Sequence, residues 1–362
     1  MNKSRFADGR SLSVAPNLND SPLVSDLDVQ PYGMDFVIEE RAEPWFDDGN
    51  IILLTREEGF PRTAFKVHRG VLARHSEVFH GMLEVPNALS ATETIEGCQV
   101  VPMWDIPVEL GNLIGALYDG PSFQNRNIED FFYLASILRT STKYFINHLR
   151  NKAIQHLSET WCHSLRGHDD MIELAIRTPM VNKLSYPFVH PLHVLKLARE
   201  THVRLVVPSA LYFLSLYRLE DLIKADHAKL KVEHPSKPPS DLDMSDIREY
   251  TLMFQWRMDI ILEFVRKFCG NRVPGNECLA RKDCERALRS TTARLSNSWV
   301  IRTGPFNFMQ QAISQVSQDP AFCMPCRDAF VRDGNTHRQR LWDELPSVIN
   351  LPTWEDLKNE IS

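Results

Sequence analysis

The chain reads as an α+β fold in which a segment of short strands and helical hairpins is followed by an all-α region. Three observations predict this. Five-residue apolar runs bounded by turn residues, IILLT at 51–55 and TAFKV at 63–67, crowd the first half. Beyond residue 165 the apolar residues recur at three and four instead, the period of one helical face. A length of 362 residues with 43% apolar and 24% charged content suits a soluble globular chain of about two domains.

The elements follow in order. Residues 1–33 are rich in Ser, Asn, Asp and Pro without a sustained period, and are expected as a disordered arm, because so little apolar surface cannot offset the entropy of ordering. Residues 45–160 form the mixed segment. The two strands at 51–55 and 63–67 lead into GVLARHSEVFHGML, where Val71, Leu72, His75, Val78, Phe79 and Met82 share a helical face, as two short helices or one bent one. VVPMW at 100–104 is a further strand, and Leu110, Leu113, Ile114 and Leu117 mark a helix behind it. A helix pair over 127–158 ends the segment, with Ser141 or Thr142 available to cap the second member.

The C-terminal region, 165–362, is expected to hold helices near 169–177, 190–202, 206–218 and 242–269. The last is the clearest, because Ile247, Tyr250, Phe254, Met258, Ile261, Val265 and Phe268 form one stripe. A linker is expected at 229–241, KLKVEHPSKPPSD, where charge and proline interrupt the pattern. The end, LWDELPSVINLPTWEDLKN, carries too many prolines for one helix, and Trp342, Leu345, Leu351, Trp354 and Leu357 are expected to pack back on the helices.

Charge narrows the function. The formal net charge of −6 offers no global positive field, so no nucleic-acid partner is expected, and no membrane span, since the longest apolar run is about 13 residues. The start lacks an apolar signal core, so the expected location is intracellular, cytoplasmic or nuclear. No catalytic residue is assigned: phosphate-cradling glycine loops, HExxH and GxSxG are absent from the sequence. His163, His168, Asp169 and Asp170 suggest a metal cluster of the phosphohydrolase kind, but a solvated turn is the reading adopted. The basic set Arg281, Lys282, Arg286, Arg289 and Arg294 is interrupted by acids and reads as a solvated helix face.

Five of the seven cysteines fall in the last 94 residues. Cys278-x5-Cys284 and Cys323-x2-Cys326 are the candidate metal ligands, because four thiolates close a tetrahedral structural zinc site and a C-x2-C turn presents two sulfurs to one ion. The competing reading is four thiols packed as small hydrophobes. Both are structural. The CMPC stretch follows Pro320 and contains Pro325, which favours a loop-like knuckle over a helix interior. No other cofactor is expected.

The run AFKVHRGVLARHSEVFHGML at 64–83 resembles the signature of the BTB/POZ domain. Val67, His68, Arg69, Leu72, Ala73, Ser76 and Phe79 occupy the places of a strand ending in Val-His, a basic residue, and a helix reading Leu-Ala-x-x-Ser-x-x-Phe. The sequence is similar to the large fungal BTB families, with WFDDGNIILL, GCQVV, LWDELP and LPTWEDL as the shared stretches. The resemblance implies a non-catalytic protein-interaction scaffold or adaptor, with homodimerisation and recruitment of substrates to a cullin-type ubiquitin ligase as the family's modes. Met82-Leu83-Glu84 is the nearest match to the element linked to cullin docking. The alternatives are a transcription or chromatin regulator that dimerises through this domain, and an enzyme in the helical region that uses His163 or Asp169. By residue type, His68 is expected to be a satisfied packing histidine at the strand-to-helix junction, and Ser76 a helix residue.

Overall fold

Strand β2 (Ile51–Thr55) is buried along its whole length because it is paired on both sides. It runs antiparallel to β3 (Thr63–Val67), with Ile51 opposite Val67 and Leu53 opposite Phe65. On its other side it runs parallel to β5 (Cys98–Met103), from Ile51 opposite Gln99 to Thr55 opposite Met103. Two-residue strands close the edges, β1 (Glu40–Arg41) beside β3 and β4 (Thr94–Ile95) beside β5, giving the order β1-β3-β2-β5-β4. A parallel pair needs a crossover. Here the crossover holds β3, α1 (Arg69–His75) and α2 (Glu77–Glu84). The computed structural model describes residues 40–84 and 94–361, so the arm expected at 1–33 lies outside the described residues.

The alternation of β-strand side chains puts Ile51, Leu53, Phe65, Val67, Val101 and Met103 on one face. Leu72 and Phe79 of the helical hairpin, and Leu110, Leu113 and Ile114 of α3 (Pro107–Asp119), pack with them into a first core. The helix pair α4 (Ile128–Lys143) and α5 (Asn147–Thr160) contributes to this core and to a second. Ile137, Tyr144, Ile146 and Leu149 join the sheet core, while Phe131, Phe132, Leu134, Ala135, Leu138, Ile154 and Leu157 belong to the helical core.

Ser141 and Thr142 do not cap α5. Both lie in the last turn of α4, where their hydroxyls donate back to the Leu138 carbonyl at 3.2 and 2.6 Å. That back-bonding satisfies them within the helix. The break falls instead at Phe145, whose φ of +51° reverses the chain.

The C-terminal region is helical, as expected: α6 (Leu165–Arg177), α7 (Pro191–Glu200), α8 (Val207–Leu214), α9 (Leu219–Lys224), α10 (Met244–Glu263), α11 (Arg281–Ser296), α12 (Pro305–Gln318), α13 (Met324–Glu344) and α14 (Trp354–Asn359). A capping box, Asp243 with Asp246, starts α10, which continues into a wider turn at Phe264–Cys269. The segment 229–241 connects α9 to α10 without helix or strand and is pinned to its surroundings. Lys229 donates to the Pro187 carbonyl at 2.5 Å, the Ser236 carbonyl accepts from Arg139 at 2.8 Å, and His234 stacks on Phe132 at 4.3 Å.

The group at 163–170 is not a solvated turn. Ser164 accepts from the Gly167 N–H and starts α6, which turns His168 inward among the rings of Tyr212, Phe213, Phe306 and Trp342. Asp169 pairs with the buried Arg338 at 2.7 Å. The C-terminal aromatics pack back as expected: Trp342 donates to the His163 carbonyl at 3.0 Å, and Trp354 stacks on Trp342 and donates to its carbonyl at 2.8 Å. Among the described residues no helix is long and apolar enough to cross a membrane.

Candidate functional site

The signature residues of the mixed segment hold its parts together. Val67 closes the β3 register opposite Ile51, and Leu72 and Phe79 are fully buried beneath the hairpin. His68 is a satisfied histidine, as expected, but its ring meets side chains and not backbone. Its Nδ1 lies 2.9 Å from the Tyr118 hydroxyl, its Nε2 lies 3.2 Å from Asp48, and its backbone N–H donates to the same hydroxyl at 3.0 Å. Tyr118 stacks on Phe46, so the end of α3 is locked to the start of α1.

Ser76 sits at the junction of α1 and α2, one residue outside each helix. Its hydroxyl accepts from the Phe79 N–H at 3.1 Å, which caps α2, and donates to the Tyr144 carbonyl at 2.6 Å. Phe79 stacks on the Tyr144 ring at 4.5 Å. The Tyr144 hydroxyl in turn donates to Asp105 at 2.5 Å, and burial, followed by the Asp105 charge, pushes its pKa up. These tyrosine partners were not legible in the sequence, since each lies about 40 to 70 positions from the residue it serves.

Two surfaces of this segment are shaped to receive other groups. An apolar groove of about 600 Å³ lies between the β1 edge and α3, lined by Ala42, Pro44, Phe60, Phe65, Ile106 and Val108. A polar cleft of about 320 Å³ follows β5, where the exposed Trp104 neighbours Asp105, Glu109, Arg139 and Lys143. Arg139 joins Glu109 of α3 to Glu200 of α7, both at 2.8 Å. Burial raises the Glu109 pKa, against the lowering effect of the Arg139 charge. Met82-Leu83-Glu84 ends α2, with Leu83 buried and Glu84 exposed.

The structure brings all four candidate cysteines together. The sulfurs of Cys278, Cys284, Cys323 and Cys326 lie within 4.8 Å of one another. Cys284 is in the first turn of α11. CMPC is not a loop-like knuckle: Cys323 is the N-cap of α13 and Cys326 lies in its first turn, because Pro325 fits the start of a helix, where no N–H partner is needed. Cys278 comes from the connection between α10 and α11. Burial pushes the Cys284 and Cys326 thiols up. At Cys323 burial is outweighed by N–H donors from Leu279 and Cys326, which hold its thiol down at about 6.

His168, His190 and His193 of the helical region are buried. Burial, then the Arg338 charge, pushes His168 down to about 3, so it is a neutral ring. His190 and His193 are pushed down to about 2 and about 4, burial again being the main cause. His163 does not join His168, and its carbonyl serves Trp342.

Neither the curated proteins nor the solved structures provide a match to this chain. The family model described as the BTB/POZ domain matches residues 50–159, from the start of β2 to the end of α5. Strands β2 to β5, the helical hairpin and the α4/α5 pair are therefore those of a BTB/POZ domain, a protein-interaction module, and a helical C-terminal region follows it.

Proposed function

We propose that this chain is a non-catalytic adaptor whose BTB/POZ domain binds a second copy of itself or a common partner, while the helical region recruits a specific protein. The observation that supports the reading best is the match over residues 50–159 to an interaction domain. The groove between the β1 edge and α3 is the surface we assign to self-association, because its lining is largely apolar and Val108 is exposed on its rim. A cullin is the common partner we propose, docking near Glu84 at the end of α2. All seven cysteines are free thiols, in keeping with work in a reducing compartment, cytoplasm or nucleus.

The test is native mass spectrometry of the full-length chain, alone and mixed with the amino-terminal domain of a cullin. The expected result is a dimer that Val108→Arg converts to monomer, and a cullin complex that Glu84→Arg weakens at least tenfold. A monomer that takes up no cullin overturns both assignments.

A further inference from the structure

We propose that Cys278, Cys284, Cys323 and Cys326 bind one Zn²⁺ as four thiolates, in a structural site that ties the α10–α11 connection to the first turns of α11 and α13. The spacing of the sulfurs carries the inference. A zinc–sulfur bond of about 2.3 Å in a tetrahedron sets neighbouring sulfurs about 3.8 Å apart. Here the Cys278 and Cys323 sulfurs are 3.7 Å apart, and the whole set spans no more than 4.8 Å. A disulfide needs about 2.05 Å, and all four are free thiols.

The hydrogen bonds around the sulfurs point the same way. Elsewhere in the chain a buried thiol donates to a carbonyl, Cys98 to Gly49 at 3.3 Å and Cys162 to Glu159 at 3.0 Å. In the cluster a backbone N–H donates to sulfur instead: the Cys323 N–H reaches the Cys284 sulfur at 3.3 Å. An N–H contact of this kind orients a sulfur as a metal ligand. Four thiolates around a divalent cation leave two negative charges. The N-terminal turns of α11 and α13, with 16 and 21 residues, present their positive dipole ends to that charge.

Thiol packing alone accounts for less. Thiols that serve as small hydrophobes are expected to be fully buried among aliphatic side chains, whereas Cys278 and Cys323 are half-buried and all four converge on one point. A cavity of about 440 Å³ beside Cys278 and Cys326 offers an ion a path to the site. Zinc suits the set better than magnesium or calcium, which take oxygen ligands.

The experiment is elemental analysis of the full-length chain purified without chelators. It is expected to show about one zinc per chain, and none in the Cys323→Ser, Cys326→Ser double variant. Because that variant can fail to fold, the wild-type chain is also titrated with a mercurial thiol reagent, which is expected to release the zinc as the four thiols react. Replacement by Co²⁺ is then expected to give the intense absorption of a tetrahedral tetrathiolate. A reduced chain that takes up neither Zn²⁺ nor Co²⁺, zinc retained in the double variant, or a stoichiometric metal other than zinc would overturn the proposal.

Discussion

Arg257 is fully buried in α10, among the described residues it has no carboxylate partner, and its guanidinium serves three backbone carbonyls: Ser215 at 2.9 Å, Ile301 at 2.7 Å and Thr303 at 2.7 Å. Ser215 ends α8 and the other two belong to the turn before α12, so one side chain fastens three segments. Replacing it by Met keeps most of the stem's packing and removes the donors. The Ser215 carbonyl is buried and stays unpaired, at a cost of about 1–3 kcal/mol, while the carbonyls near the exposed Ile301 can be rehydrated. Recovering the solvation of the guanidinium offsets part of this, so Arg257→Met is expected to destabilise by about 2 kcal/mol. Arg257→Ala adds the lost stem and is expected to cost about 4 kcal/mol. At roughly 2 °C per kcal/mol for a chain of this size, the melting temperature falls by about 4 and 8 °C. Urea unfolding followed by tryptophan fluorescence measures both. A Met variant within about 0.5 kcal/mol of wild type, the range of an ordinary surface substitution, would refute the claim that the carbonyls depend on Arg257.

His168 has a folded-state pKa of about 3, below the ordinary 6.5, so its contribution is intact above pH 6.5 and is lost as the pH falls toward 3. At pH 5 the loss is about 2 kcal/mol. Melting temperature measured from pH 8 to pH 5 should therefore fall less steeply in His168→Phe than in wild type, and parallel curves would contradict the assignment. Gly334→Ala in α13 would place its Cβ 2.8 Å from Cγ1 of Ile313 in α12. Overpacking at about 1–3 kcal/mol outweighs the gain of about 1 kcal/mol in helix propensity, so thermal unfolding should show a loss, and a more stable variant would be the contrary result. Ser76→Ala removes the α2 cap and leaves the Tyr144 carbonyl without its donor, at a cost of about 1–3 kcal/mol in urea unfolding. An unchanged midpoint would show that water replaces the hydroxyl.

Strands β2 and β3 were legible because their apolar runs are short, β-rich and bounded by turn residues, and α10 because its stripe is long. The parallel pairing of β2 with β5 was not, since more than 40 residues intervene and no local signal states which strands meet. The α6 start was misread because a cluster of polar residues looks solvated until the partners are known. Arg338 and the Trp342 cage lie about 170 positions away and absorb the Asp169 charge and the His168 ring. The four cysteines were visible as a candidate set from their spacing alone. What the spacing could not give was the geometry, since Cys284 and Cys323 meet only after α11 and α12 have brought the start of α13 back beside the start of α11.

The match to the interaction domain ends at residue 159, but its packing does not. Helix α4 buries Ile137 against the sheet core and turns Phe131, Phe132, Leu134 and Leu138 into the helical core. Exposing a large apolar side chain costs about 2 kcal/mol, so these four alone rival the roughly 5–15 kcal/mol that holds an ordinary domain folded. The described residues accordingly fall in one compact unit. Arg139, paired across to Glu200 of α7 and to the carbonyl of Ser236, adds polar ties between the same layers. The BTB/POZ domain and the helical region are thereby held at a fixed angle, because neither can turn without uncovering α4. A chain cut after residue 160 is therefore expected to aggregate or to bind a hydrophobic dye strongly, while the full chain does neither. A well-behaved fragment with the melting temperature of the full chain would show that the two cores are independent.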